Sequence, residues 1–171
     1  MPFLVGAGPL SDSAMSSGSI ALKAFWGDRL LKFTCMDSPD EVLSALPKND
    51  LLFQLSGDAG FYHSENGSWL ECLGAWKMPV ILMATPSDQG EIPGTAAAYV
   101  ALCYKVLVPL VGIVQLGGEW HPKARAKDGL PWCGCLPSDE TGNGPGQDSV
   151  DPIDTLIVTE NLKRRLKSLN L

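Results

Sequence analysis

Apolar residues recur along the chain in six short runs: Phe3–Val5, Leu30–Cys35, Leu51–Ser56, Val80–Thr85, Leu110–Gln115 and Trp132–Leu136. Most show no alternation of apolar and polar positions. A strand covered on both faces has that character, so the runs predict the strands of a buried, mostly parallel sheet. Helical patterns fill the intervals. Ser13–Phe25 follows the first run, and Ser38 with Pro39 reads as an N-cap and first-turn pair opening a helix to Leu46. Gly67–Trp76 is a weaker helical stretch, and Pro93 opens a strong one through Tyr99 and Lys105 to Leu107. Residues 140–150 are polar and glycine-rich and read as a flexible loop. Asp151-Pro152 then starts a final helix, Ile153 to about Leu169. The alternation predicts an α/β fold: a three-layer sandwich with a mostly parallel sheet. Residues 1–139 form one domain, and residues 151–171 form a helix packed on it.

Length and charge narrow this picture. The 171 residues suffice for one domain with a full core. The formal net charge of -6 argues against a nucleic-acid surface, which needs a basic patch. The cluster Lys163, Arg164, Arg165 and Lys167 reads as the solvated face of the last helix. Five cysteines, an odd number partly within apolar runs, suggest free thiols and a reducing, cytoplasmic setting. The first residues lack the basic and then apolar regions of a secretory leader. Thr95–Ile113 is apolar enough to suggest a membrane span, but Lys105 and Pro109 interrupt it. A buried helix followed by a buried strand is expected there, and no membrane partner.

The stretch VGAGPLSDSAMSSGS, Val5–Ser19, lies between the first strand and first helix, where a phosphate-binding loop would sit. Gly6 is in place. Asp12, Ser13 and Ala14 stand where such a loop carries Gly, Lys and Thr, and Lys23 lies well inside the helix. As a dinucleotide fingerprint, Gly6-x-Gly8 is present, but Ser11 replaces the third glycine. An anion held by Gly6, Gly8, Ser11 and Ser13 competes with a tight turn capped by serines. Asp58, flanked by Gly57 and Gly60 after the third run, is the leading carboxylate candidate, against a plain turn aspartate. Ser87, Asp88 and Glu91 could meet a ligand, although a plain loop is the favoured reading. Cys133 and Cys135 could share a metal with His121, but Cys-x-Cys alone is a weak ligand set and no metal site is expected. His63 and His121 have no nucleophile context. Five tryptophans offer candidates for an exposed anchor.

In their order, four segments resemble the dethiobiotin synthetase and cobyrinic acid amide synthetase group of P-loop folds. They are NDLLFQLSGDAGFY from Asn49, MPVILMATPSDQGEIPGTAAAYVAL from Met78, VLVPLVGIVQLGG from Val106 and LPWCGCLP from Leu130. The resemblance implies a P-loop NTPase-like fold, ATP with magnesium as the ligand, and Gln115 in place of the family's adenine-reading asparagine. The family's P-loop lysine and threonine are missing, and its acidic glutamate is replaced by Gln54 or Ser56, with Asp58 close by. The leading expectation is a divergent, non-catalytic nucleotide- or anion-binding module, or a protein-interaction module, acting as a homodimer or with a protein partner. One alternative is an ATP-dependent ligase of the dethiobiotin type, with Asp58 and an atypical Lys23 as catalytic residues. The other is a Rossmann-type dinucleotide protein using Gly6, Gly8 and Asp37.

Overall fold

The computed structural model describes residues 1–26, 29–47, 51–64, 67–137 and 152–169. Its elements, in chain order, begin with β1 (Phe3–Gly6), α1 (Asp12–Trp26), β2 (Leu30–Thr34), α2 (Pro39–Ser44) and β3 (Leu52–Ser56). The short strands β4 (Tyr62–His63) and β5 (Gly67–Ser68), then α3 (Trp69–Ala75), β6 (Val80–Ala84) and α4 (Gly94–Lys105) follow. The chain continues with β7 (Leu110–Leu116), α5 (Pro122–Lys127), β8 (Trp132–Leu136) and α6 (Pro152–Ser168). Each of the six apolar runs is a strand of one sheet, ordered β2-β3-β1-β6-β7-β8 and parallel at every pairing.

Side chains alternate across the sheet, so each strand feeds two cores. Phe3 and Val5 of β1 join Phe53, Leu55, Val80 and Leu82 on one face, against Trp69, Leu70 and Leu73 of α3, Leu43 of α2 and Val100 of α4. Leu4, Leu52, Ile81 and Met83 line the other face, against Ala14, Met15 and Leu22 of α1 and Val158 and Leu162 of α6. The result is an α/β/α sandwich. Over the inner strands β1, β6 and β7 both faces are largely apolar, which is why they read as unbroken apolar runs, whereas the edge strand β2 leaves Lys32 and Thr34 exposed. Phe3, Phe53 and Trp69 are fully buried and pack with tilted rings at the centre of the first core; each such side chain contributes about 1.5–3 kcal/mol.

Several expectations change. The helix from Pro93 is not buried all round. It buries Ala96, Val100 and Cys103, one per turn, while Ala97, Ala101 and Tyr104 face outward; small alanines on the outer face disguised its amphipathic character. Helix α2 ends at Ser44, and Ser38 makes no side-chain cap bond. Helix α3 begins at Trp69 rather than Gly67, because Gly67 and Ser68 pair with β4 and Ser68 closes a capping box with Glu71. The C-terminal basic cluster is not wholly solvated: Arg165 donates to the Pro131 and Trp132 carbonyls, pinning α6 to the start of β8. All five cysteines are free thiols. No helix among the described residues is long and apolar enough to cross a membrane. The glycine-rich loop expected over 140–150 lies outside the described residues.

Candidate functional site at the sheet's carboxyl edge

The chain leaves β1 for α1 on one face of the sheet and leaves β6 for α4 on the other. Two neighbouring strands whose connections part in this way open a crevice at their carboxyl ends, the usual ligand position in open α/β sheets. Here it measures about 240 Å³ and is lined by residues 7–10 after β1 and by Ala84, Thr85, Pro93, Thr95 and Ala96. No charged side chain is among these lining residues. Gly8 has φ 107° and faces Thr95, whose Cβ would stand 3.6 Å from a Cβ added at Gly8. Any other residue at position 8 would be strained there and would narrow the crevice.

The opening loop is built mainly to start a helix. The Ser11 hydroxyl accepts from Ala14 N–H at 3.1 Å, an N-cap bond. Asp12 occupies the first helical turn and supplies the negative charge that this helix end favours. Ser13 is exposed, and its carbonyl accepts from the Ser17 hydroxyl. Gly6 allows the turn itself, because a Cβ there would meet the Gly8 carbonyl oxygen at 2.5 Å. Lys23 lies in the last turn of α1, roughly 16 Å along the axis from Asp12 at 1.5 Å per residue. The structure therefore brings Lys23 neither to this loop nor to the carboxyl edge where Asp58 stands.

Asp58 is engaged locally. Its Oδ1 accepts from Gly60 N–H at 2.8 Å, an Asx turn, and from the Tyr99 hydroxyl of α4. Burial, and then the bond to Asp58, hold the Tyr99 phenol above its ordinary value of 10.0.

Gln115 is fully buried near the end of β7, and its amide is spent on the protein. Nε2 donates to the Gly117 carbonyl at 2.8 Å and the Glu119 carbonyl at 3.2 Å, while Oε1 accepts from Arg125 Nε at 3.1 Å. The Arg125 guanidinium is buried and lies 5.3 Å over the Trp132 ring, and its Nη2 has no hydrogen-bond partner. In place of an amide open to a base, the chain has a clamp that fixes the β7–α5 loop and positions a buried cation.

No protein-family model matches this chain, and no curated protein is significantly similar to it.

The remaining candidates have local duties. The Asp37 carboxylate closes the turn after β2 by accepting from Thr34 N–H at 2.7 Å. The sheet order also differs from the dinucleotide-binding order, because the strand beside β1 is β3 rather than β2. Ser87 N–H donates to the Glu91 carbonyl and Gly90 N–H to the Ser87 carbonyl, closing a plain turn with Ser87, Asp88 and Glu91 exposed. A register shift against β7, with φ 135° at Gly134, breaks the simple alternation at Cys133 and Cys135. Their thiols contact different carbonyls, of Pro131 and of Gly117. Burial pushes both to about 11, so both are protonated thiols at neutral pH. His121 sits at the N-cap of α5, 3.7 Å from Glu119, and His63 hydrogen-bonds the Cys35 carbonyl. Among the described residues no group of three or more His, Cys, Asp or Glu side chains could hold a metal ion. Trp76 is 46% exposed, with its indole N–H on Asp40, whereas Trp69 is fully buried.

Sequence reasoning missed three residues here. Arg125 lies in the short charged segment PKARAK, which carries no apolar period. Tyr99 reads only as one position along a strong helix. Lys32, beside Asp12 in a second pocket, left a visible signal as the lone charge in the strand LLKFT.

Proposed function

We propose that this chain is a non-catalytic ligand-binding α/β module of divergent P-loop-like type. It holds the phosphate end of a nucleotide, or another small anion, in the crevice between β1 and β6. The observation that carries this reading is the crevice itself: it lies at the topological switch point and is lined by a glycine loop and neutral side chains. Binding there rests on backbone N–H groups and the Thr95 hydroxyl rather than on a lysine. The distance of Lys23 and the engagement of Asp58 with Tyr99 and Gly60 favour binding over the ligase alternative. Titration calorimetry with ATP plus magnesium, repeated with ADP, tests the reading. Micromolar affinity, about -8 kcal/mol, that falls at least about tenfold in Thr95→Phe supports it. Thr95 is exposed, so the variant fills the crevice without disturbing the core. No heat at millimolar nucleotide overturns it.

A second reading, an interaction module, has its own observation. Met36, Phe61 and Tyr62 are 71%, 50% and 67% exposed. Their segments are joined through His63, which meets Phe61 edge to face and bonds the carbonyl of Cys35, the neighbour of Met36. Exposed apolar clusters of this kind mark protein contacts. Sedimentation velocity of the native chain and of Phe61→Ser/Tyr62→Ser tests whether this face forms a homodimer.

A further inference from the structure

A second pocket, of about 260 Å³, opens on the α1 side of the sheet between α1 and the carboxyl ends of β2 and β3. Its floor is polar. Lys32 pairs in register with Gln54, and Thr34 with Ser56. Paired residues of parallel strands share a face, so four polar side chains form one patch toward α1. The intervening Phe33 and Leu55 enter the opposite, apolar core. From above, α1 adds Asp12 and Ser16.

The hydrogen bonds within the patch leave a defined set of free groups. Gln54 is 1% exposed. Its Oε1 accepts from the Ser19 hydroxyl at 2.8 Å, and its Nε2 donates to Ser56 Oγ at 3.2 Å. Ser56 Oγ accepts in this arrangement, and its own proton has no described acceptor. Ser16 Oγ likewise accepts from Lys32 Nζ at 3.1 Å and keeps its proton. Lys32 retains further N–H donors. Thr34 contributes less, since its hydroxyl is engaged with Asp37 and Met36 N–H. Asp12 brings the one carboxylate, and among the ion pairs of the described residues there is none between Asp12 and Lys32. Among the described residues the pocket thus holds a cation bonded only to Ser16, two hydroxyl donors, and a carboxylate in none of the ion pairs, in a space of metabolite size.

From this arrangement we infer that the pocket binds a small zwitterion of the α-amino-acid type. The ligand carboxylate meets Lys32, Ser16 and Ser56, and the ligand ammonium meets Asp12. A ligand with one charge gains one of these contacts and is repelled by the like-charged group. The competing account is that Lys32 only guards the edge strand β2 against pairing with another chain.

Titration calorimetry on the full chain, with glycine, serine and glutamine as probes and acetate and methylammonium as single-charge controls, decides between them. The expected result is saturation by at least one amino acid with Kd below about 1 mM and controls at least about tenfold weaker. Lys32→Met and Asp12→Asn each weaken binding about tenfold, and Ser56→Ala weakens it less. All three positions are at least partly exposed, and circular dichroism checks that each variant folds. Thr95→Phe, which fills the other crevice, leaves amino-acid affinity unchanged, so this site and the nucleotide reading fail separately. Absence of saturation by about 10 mM for all three amino acids overturns the inference. So does acetate binding as tightly as the best amino acid, or Lys32→Met binding as the native chain does.

Discussion

The Tyr99 hydroxyl of α4 donates a hydrogen bond to the Asp58 carboxylate in the loop after β3. That bond ties a helix on one face to the loop at the carboxyl edge, and it has a pH signature. The folded state holds the Tyr99 phenol above its ordinary 10.0, through burial first and Asp58 second. The folded protein therefore keeps a proton that the unfolded chain releases above pH 10. This contribution is fully present below pH 10 and is lost as pH rises beyond it. Urea unfolding between pH 8 and 11 should show stability falling in the native chain, with a shallower fall in Tyr99→Phe. At pH 8 the variant should lose about 1–2 kcal/mol.

Gln115 and Arg125 should behave as one unit. Gln115→Met strands two loop carbonyls and the Arg125 Nε–H, and should cost about 2–4 kcal/mol. Arg125 already carries an unpartnered Nη2 and takes part in none of the ion pairs among the described residues, so Arg125→Met should cost less. The double variant should be more stable than the sum of the two losses implies. A double-mutant cycle by denaturant unfolding measures the coupling, and simple additivity would contradict the clamp.

Helix α3 depends on its capping box. Ser68 accepts from Glu71 N–H, and Glu71 accepts from Ser68 N–H at 2.8 Å. Ser68→Ala should cost about 1 kcal/mol, and Glu71→Ala a similar amount, seen as lowered midpoints in thermal unfolding.

The thiols should divide by burial. Burial pushes Cys103 up to about 12 and Cys133 and Cys135 to about 11, and it raises Cys72 as well. Cys35 and Cys135 are both partly exposed, and Cys135 is nevertheless among the thiols that burial pushes up. In the native protein at pH 8, a disulfide reagent should modify Cys35 first and the others slowly. Cys35→Ser should remove the fast phase, and denaturant should expose the full set.

The sheet was legible because burial on both faces writes its inner strands as runs of apolar residues, and the helices between them follow at crossover lengths. Elements without a period were not legible. The two-residue strands β4 and β5 are too short to alternate, and PKARAK carries charges where a short helix would show an apolar stripe. The site divided in the same way. The loops after β1 and β6 stood out by their glycine and polar content. Yet the crevice is lined by Thr85, Pro93 and Thr95 rather than by Ser87, Asp88 and Glu91. The role of Gln115 depends on Arg125, which lies ten residues later on a helix with no sequence signal. Asp58 gave no hint of Tyr99, because that contact exists only once α4 lies over the β3 loop.

The two cores differ in when a growing chain can complete them. The core under α2, α3 and α4 draws on residues from Met1 to Trp132. The core under α1 also needs Val158 and Leu162, which arrive with α6. During synthesis one side of the sheet can close while Val111 of β7 and Cys133 of β8 still await the cover that α6 brings. Until α6 docks, the nascent chain presents a half-covered apolar sheet, and that interval is when it is most exposed to chaperones and to misassociation.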